Sequence, residues 1–284
     1  MATVITEKSS SKCFGGYQKV YTHESKELNC SMNFAVYLPP QAESEKCPVI
    51  YYLSGLTCTE QNFVQKAGAQ RFASKHGLVI VTCDTSPRGC NIPGEDEKWN
   101  IGTGAGYYVN ATQEPWSKHY RMYSYIISEL PSIIEEHFPV LPDKQSIMGH
   151  SMGGHGAFIC AFRNPGRFKS VSALAPVCDS GRCRPFKEGF KLYFGGEPED
   201  GSWDEWNATK LATKYNGPPL QILIDQGTDD EFLNDLYPTD FTAACTSSGV
   251  SVILNMRDGY DHGYYFVSTF IEDHFEYHVK FLKQ

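Results

Sequence analysis

Short, uninterrupted runs of apolar residues recur along the chain, and each is bounded by turn-forming residues. Runs of this kind, without polar alternation, are typical of strands that are buried on both faces of a sheet. Several longer segments between them have the pattern of helices, and such alternation of strands and helices predicts a parallel sheet. The predicted strands are 48–53, 78–82, 146–148, 171–174, 220–224 and 250–254. The predicted helices are 63–75, 120–137, 157–163 and 232–247.

The N-terminal segment follows a different pattern. In residues 17–21 and 32–37 polar and apolar side chains alternate, and a polar stretch separates the two runs. Such alternation predicts antiparallel hairpin strands. We therefore expect an α/β fold with a mostly parallel central sheet, helices on both faces and antiparallel N-terminal strands. Because a length of 284 residues is ordinary for one such domain, residues 1–284 are expected to form a single domain.

Net charge and composition limit the classes of partner that the protein is expected to bind. A net charge of −8 and a pI near 5.6 argue against nucleic acid, which a basic face would bind, and provide no attraction to anionic membranes. The N-terminus lacks the charged-then-apolar layout of a signal peptide, and no apolar run is long enough to span a bilayer. These features predict a soluble, cytoplasmic protein without nucleic-acid or membrane partners.

The sequence also argues against a metal or nucleotide site. Ten cysteines in a chain without a secretory signal predict reduced thiols, and neither a Cys-x-x-Cys pair nor a His-Glu-x-x-His motif occurs. His150 and His155 are spaced as metal ligands can be, but we interpret them as packing histidines. The glycine-rich residues 102–106 follow a polar stretch and precede no Walker lysine, so we reject a nucleotide loop.

The most specific motif is Gly149-His150-Ser151-Met152-Gly153, a G-x-S-x-G pattern directly after a predicted strand. In such a nucleophile elbow, a sharp turn from strand to helix exposes the serine. Ser151 is then at a helix N-terminus, where the free N–H of Met152 can stabilise an oxyanion. The motif therefore predicts Ser151 as a nucleophile.

Two further groups complete a candidate catalytic set. Asp229 and Asp230 follow the predicted strand 220–224, and His262 follows the predicted strand 250–254. A serine hydroxyl is a weak nucleophile until an imidazole removes its proton, and the imidazole needs a carboxylate that fixes its tautomer. The order Ser, Asp, His is that of α/β-hydrolases. Either Asp229 or Asp230 can be the catalytic acid by this order alone.

Two loops are expected to shape the cleft. The segment 53–62 follows the first core strand, where this architecture takes its second oxyanion N–H; we expect it from the backbone of Leu56, with Gly55 allowing close approach. Cys58 is expected beside the nucleophile, or else as a small packing residue. The segment 84–116 is rich in glycine, proline and aromatic residues. Its residues Trp99, Tyr107 and Tyr108 are candidate pocket walls, or else pin the loop.

The chain closely resembles the S-formylglutathione hydrolase family, also called the esterase D family, over nearly its whole length. The resemblance is carried by residues 12–16, 34–40, 53–59, 84–89, 102–107, 120–125, 149–156 and 259–262. It implies the α/β-hydrolase fold, a homodimer, and hydrolysis of S-formylglutathione to glutathione and formate in formaldehyde detoxification, without a metal or organic cofactor. It also implies Ser151, Asp230 and His262 as catalytic residues, with Asp229 as the alternative acid.

One stretch departs from the family pattern. Where family members usually carry Cys-Pro-Trp-Gly, this chain has Cys183-Arg184-Pro185-Phe186-Lys187. A tryptophan expected near the mouth of the site is missing, and Phe186 is its candidate substitute. Because the expected loop 183–187 borders the cleft, a broad carboxylesterase acting on small esters is the alternative to a thioesterase. A non-catalytic binding module on a hydrolase scaffold is the remaining alternative.

Overall fold

The computed structural model describes residues 3–284 and contains one nine-stranded sheet in the order β1-β2-β3-β5-β4-β6-β7-β8-β9. The pairs from β1 through β3 to β5 are antiparallel, and the pairs from β5 across to β9 are parallel. The strands are β1 (Thr6–Cys13), β2 (Gly16–Ser25), β3 (Cys30–Leu38), β4 (Cys47–Leu53), β5 (Val79–Cys83), β6 (Val140–His150), β7 (Val171–Leu174), β8 (Gln221–Gly227) and β9 (Ser251–Arg257). The predicted mostly parallel sheet with antiparallel N-terminal strands is confirmed.

Helices cover both faces of this sheet. On β7, Ser172 hydrogen-bonds two histidines of α10, whereas the next residue, Ala173, faces α5 at Gly154. Successive side chains of a strand point to opposite faces, so α5 and α10 lie on opposite sides. The helices are α1 (Glu60–Lys66), α2 (Gln70–His76), α3 (Met122–Ser124), α4 (Leu130–His137), α5 (Met152–Arg163), α6 (Arg184–Phe194), α7 (Ala208–Thr213), α8 (Leu233–Leu236), α9 (Pro238–Ser247) and α10 (Tyr264–Leu282).

Three of the predicted helices are interrupted, each next to a glycine or proline. The segment 63–75 contains α1 and α2, which are separated at Gly68 with a φ of 66°. The segment 232–247 contains α8 and α9, which are separated by Tyr237 in a left-handed conformation before Pro238. A residue before proline avoids the α region, so the helix cannot run through it.

The third interruption is a widening rather than a break. Between α3 and α4 the chain forms a π-helical turn over Tyr125–Glu129, immediately before a helix whose second residue is Pro131. Proline cannot donate the helical hydrogen bond to the residue four positions earlier, which here is Ile127. The wider turn therefore coincides with the point where the regular bonding pattern is lost.

The prediction that strand 250–254 is buried on both faces was wrong. This segment lies in β9 at the edge of the sheet, and Ile253 and Met256 on it are 41% and 46% exposed. The apolar run still contributes to the core, because Val252 and Leu254 on the other face of β9 pack against it. Hydrophobicity alone cannot distinguish an edge strand from a central one.

Residues 183–187, expected as a loop, are the cap and first turn of α6. Pro185 lies in this first turn, where its missing N–H is not needed for helical bonding. Gly189 faces the ring of Tyr107 so closely that a Cβ would be 2.5 Å from Tyr107 Cε2. The loop prediction was wrong because a proline and a glycine, which usually break helices, here have positional and packing roles.

Candidate active site

The serine of the G-x-S-x-G motif is at the turn between β6 and α5 with an unusual backbone conformation. Ser151 has φ 57° and ψ −119°, a region that costs a non-glycine residue about 1–3 kcal/mol. The two glycines of the motif make this turn sterically feasible. A Cβ on Gly149 would be 2.1 Å from the carbonyl oxygen of Gly153, and one on Gly153 would be 1.9 Å from that of Leu53. The elbow is therefore packed directly against β4.

The structure brings Ser151, His262 and Asp230 into one hydrogen-bonded row. His262 Nδ1 lies 2.7 Å from Asp230 Oδ2, and His262 Nε2 lies 2.8 Å from Ser151 Oγ. Because a carboxylate only accepts, Nδ1 carries the proton, and Nε2 is left to accept from the serine hydroxyl. This arrangement can deprotonate Ser151 as it attacks a substrate.

The carboxylate of Asp230 is held ionised by its surroundings. It also accepts hydrogen bonds from the Phe232 amide at 2.7 Å and from Gln226 Nε2 at 2.9 Å. Burial would raise the pKa of Asp230, but the bonds from His262, Phe232 and Gln226 outweigh burial, and the pKa is below its ordinary value. Asp229, the alternative acid, is exposed, and its hydrogen-bonding neighbour is Thr228.

Two backbone amides flank the nucleophile. Within residues 3–284, neither the amide of Leu56 nor that of Met152 donates a hydrogen bond. Gly55 approaches the elbow closely, since a Cβ there would be 3.2 Å from Ser151 Cβ. The loop that carries Leu56 is held by bonds from the Thr57 amide to Gly104 O at 2.9 Å and from Thr85 Oγ1 to Cys58 O at 2.5 Å. Both amides are thus available to an oxyanion on a serine-bound acyl group.

His150 lies beside this row rather than in it. Its ring is 4.8 Å from that of His262, and its Nε2 atom donates to the backbone carbonyl of His262 at 3.0 Å. Burial, together with the neighbouring His262, lowers the pKa of His150 to about 3. His155, the other histidine of the motif region, donates to the carbonyl of Trp206 at 2.8 Å. Among residues 3–284 no three His, Cys, Asp or Glu side chains are grouped as they would be around a metal ion.

A pocket of about 220 Å³ opens directly over Ser151 and His262. Trp99, which is half exposed, and Phe186 both line it. Tyr107 does not line the pocket; it is fully buried behind Phe186, with ring centroids 4.5 Å apart, and its hydroxyl donates to Asn100 O. Tyr108 is likewise buried, and its hydroxyl donates to Ser54 O at 2.9 Å. Both tyrosines therefore hold the surrounding loops.

Other parts of the pocket wall were not anticipated from the sequence. They come from α8 and its N-terminal cap and from the turn after β7: Val177, Phe232 and Leu236 are apolar, and Asp235 adds a carboxylate that pairs with Arg184. No local motif marks them, although their position after β7 and β8 was a usable signal, because ligands bind beyond the carboxyl ends of parallel strands. Gln226, which holds Asp230, was missed for the same reason.

Cys58 is half-buried and lines the same pocket. Burial raises the pKa of its thiol above the ordinary value. Cys58 and Ser151 thus line one pocket. The thiol is therefore protonated at neutral pH.

In residues 3–284 we find no helix with both the length and the apolar character that crossing a membrane requires.

Comparison with known proteins agrees with this geometry. The Esterase family model matches residues 25–277. The chain is 58% identical to the S-formylglutathione hydrolase of Rattus norvegicus over 98% of this chain and 99% of that protein. It is 49% identical to the S-formylglutathione hydrolase of Arabidopsis thaliana over 100% of both chains. A solved S-formylglutathione hydrolase from Agrobacterium tumefaciens is similar at a TM-score of 0.94 and 46% identity, over 98% of this chain and 99% of that one. The chain therefore belongs to the S-formylglutathione hydrolase family of esterases.

Proposed function

We propose that the protein hydrolyses S-formylglutathione to glutathione and formate through a formyl-serine intermediate. The observation that carries the proposal is the hydrogen-bonded row of Ser151, His262 and Asp230 at the base of a pocket. The names of its relatives at 49–58% identity support the choice of substrate.

In the first half-reaction, Ser151 Oγ attacks the thioester carbonyl while His262 Nε2 takes the hydroxyl proton. Asp230 stabilises the imidazolium and keeps the ring in the required tautomer. The amides of Leu56 and Met152 bind the oxyanion, and each such donor contributes about 3 kcal/mol to transition-state stabilisation. Glutathione then leaves as a thiol, taking from His262 Nε2 the proton that came from Ser151 Oγ, and His262 is again neutral.

In the second half-reaction, water replaces glutathione. His262 removes a proton from the water as it attacks the formyl-serine, and returns that proton to Ser151 Oγ as formate leaves. The same two amides serve both tetrahedral intermediates. A thiol has a pKa of about 8.5 and is a good leaving group, so the first step depends less on acid assistance than cleavage of an amide does.

A broad carboxylesterase is the second candidate, and the pocket supports it. A volume of about 220 Å³ exceeds what a formyl group fills, and the walls at Val177, Phe186 and Leu236 are apolar. Acyl groups with short alkyl chains fit this chemistry, and the same row cleaves oxygen esters. A non-catalytic binding module is disfavoured, because all three reacting groups remain within hydrogen-bonding distance.

The deciding experiment measures kcat/KM for S-formylglutathione and for an aryl acetate, with Ser151→Ala as the blank. A strong preference for the thioester, lost in Ser151→Ala, would support the proposal. Equal or reversed preference would favour the carboxylesterase. Residual activity in Ser151→Ala close to that of the unmodified enzyme would overturn both.

We further propose that the enzyme is a homodimer, as the family resemblance suggests, and that it works in the cytoplasm, since its ten cysteines are all free thiols. Sedimentation equilibrium tests the first point. A mass of twice 31.9 kDa would support it, and a mass of 31.9 kDa at micromolar concentration would contradict it. Cell fractionation tests the second.

A further inference from the structure

A second Ser–His–Asp row lies on the face of the sheet that α10 covers, opposite the face covered by α5. Ser172 Oγ is 2.8 Å from His274 Nδ1, and His274 Nε2 is 3.0 Å from Asp225 Oδ2. All three residues are fully buried where α10, which carries His274, packs on the sheet. Substrate cannot reach this row, so its geometry must serve another purpose than attack on an ester.

The row continues into an ion pair at the end of β9. Arg257 Nε donates to the second oxygen of Asp225 at 2.8 Å, and Arg257 Nη2 donates to Asp273 of α10 at 2.9 Å. The guanidinium also lies over the ring of Phe270, 4.1 Å from its centroid. Burial would raise the pKa of Asp225, but its bonds with His274 and Arg257 keep it below the ordinary value. An ionised carboxylate thus joins β8, β9 and α10.

The backbone of Arg257 is where the two loops of the active site meet. Its carbonyl accepts from the Thr228 amide at 3.0 Å and from the Tyr260 amide at 3.4 Å. Thr228 begins the loop that carries Asp230, and Tyr260 lies in the loop that carries His262. The Asp229 amide also donates to Tyr260 O at 3.0 Å, so the two loops are bonded to each other directly above Arg257.

We propose that Arg257 is a positioning residue for the pair His262 and Asp230. Its ion pair with Asp225 fixes the end of β9 against β8, and the loops that leave these two strands are thereby held in register. Arg257 touches neither substrate nor the reacting atoms and acts only through the loops. The inference rests on the proposed function for the roles of His262 and Asp230.

Arg257→Met tests the proposal, because methionine keeps an apolar stem over Phe270 and removes the charge. We expect kcat to fall about tenfold with KM nearly unchanged, since a small misplacement of reacting groups mainly lowers the rate. Asp273→Asn is the matched control. This change removes the ion pair between Arg257 and Asp273, whose side chain is 57% exposed, and leaves the bond between Arg257 and Asp225. We therefore expect kcat to stay within about twofold of the unmodified enzyme.

The pH profile separates positioning from a general loss of structure. The groups that face the His262 ring are Asp230, Ser151 and His150. A carboxylate held further away stabilises the imidazolium less, so the acidic limb of kcat/KM should move to lower pH in Arg257→Met. Arg257→Lys, which can still pair with Asp225, should restore most of the rate and the position of the limb.

The assays use an aryl acetate as well as S-formylglutathione, so a wrong assignment of the thioester substrate leaves the test intact. If Arg257→Met has the same kcat and the same acidic limb of the pH profile as the unmodified enzyme, the proposal is overturned. A drop in kcat with an unmoved limb and no recovery in Arg257→Lys also overturns it, because that pattern indicates destabilisation alone. Should Arg257→Met not fold, Arg257→Lys and Asp273→Asn decide it: a kcat in Asp273→Asn well below that in Arg257→Lys contradicts a specific role for the bond with Asp225.

Discussion

His150 donates a hydrogen bond through Nε2 to the backbone carbonyl of His262, 3.0 Å away. The carbonyl can only accept, so this nitrogen carries a proton, and the pKa of about 3 keeps the ring neutral at physiological pH. His150 therefore supports the main chain of His262, the proposed general base. It is a structural partner of His262 rather than a second acid or base.

Replacing His150 by phenylalanine should lower kcat about tenfold, because the His262 carbonyl loses its donor and the loop shifts. The free energy of unfolding should also fall by about 1–3 kcal/mol, because a partly buried acceptor loses its donor. His155→Phe is the control, since that ring is equally buried and donates to Trp206 O, away from the reacting row. It should lose similar stability and keep kcat. Equal loss of kcat in both variants would contradict the role of His150.

Asp230→Asn should reduce kcat by about 10⁴, because an amide cannot stabilise the imidazolium and favours the wrong ring tautomer. Asp229→Asn changes an exposed carboxylate one position away and should keep kcat within about twofold. Steady-state kinetics on both variants separates the two aspartates. A larger loss in Asp229→Asn would reverse the assignment of the acid.

Stability should decline on mild acidification because of buried neutral histidines. Burial lowers the pKa of His155 to about 4, against about 6.5 in the unfolded chain. Between these values the unfolded state binds a proton that the folded state does not, so stability falls as pH falls. Each pH unit in this window costs about 1.4 kcal/mol per histidine, or about 2 kcal/mol for His155 between pH 6.5 and 5.

Urea unfolding at pH 7 and pH 5 measures this dependence. In His155→Phe the difference in unfolding free energy between the two pH values should shrink by about 2 kcal/mol, although the variant is less stable at pH 7. An unchanged difference would mean that His155 is already protonated, or not buried, in the folded protein.

Alkylation of Cys58 by a maleimide should inactivate the enzyme by crowding the loop that carries the Leu56 amide. Because burial raises the pKa of this thiol, the inactivation rate should continue to rise with pH up to and beyond 9. Cys58→Ser should retain turnover and resist the reagent. Loss of turnover in Cys58→Ser, or unchanged sensitivity, would assign a different role or a different target.

Ser151→Gly should be more stable than Ser151→Ala. Both lose the nucleophile, but only glycine adopts a φ of 57° with ψ −119° without strain. We expect about 1 kcal/mol, or a Tm higher by about 2–4 °C, in calorimetry of the two variants. Equal Tm values would show that the elbow is not strained at this residue.

The sequence carried enough information for the central strands of the sheet and for the three residues of the hydrogen-bonded row. Buried strands are marked by local composition, and Ser151 by a motif whose glycines have a steric reason. The three side chains then meet because strands β6, β8 and β9 end at the same edge of the sheet. That convergence follows from topology, which the alternation of elements predicts.

What the sequence did not reveal depends on partners distant along the chain. Strand β1 is polar and exposed up to its last residue, Cys13, and it forms because the edge of β2 offers backbone hydrogen bonds. Helix α6 contains Pro185 and Gly189, two residue types that disfavour helices. They fit here because Pro185 is in the first turn and Gly189 packs against Tyr107. Asp225 and Arg257 are 32 residues apart along the chain, and their bond forms only when β8 and β9 pair in the observed register. No local pattern encodes such a register.

The backbone of Ser151 also bears on how this chain can evolve. Drift under selection for stability alone would favour glycine at position 151, because that change relieves the left-handed conformation. Only selection on turnover opposes it. A descendant that had lost its substrate would therefore be expected to lose this serine early. Gly149 and Gly153 would persist, because the packing of Gly149 on Gly153 and of Gly153 on β4 serves folding.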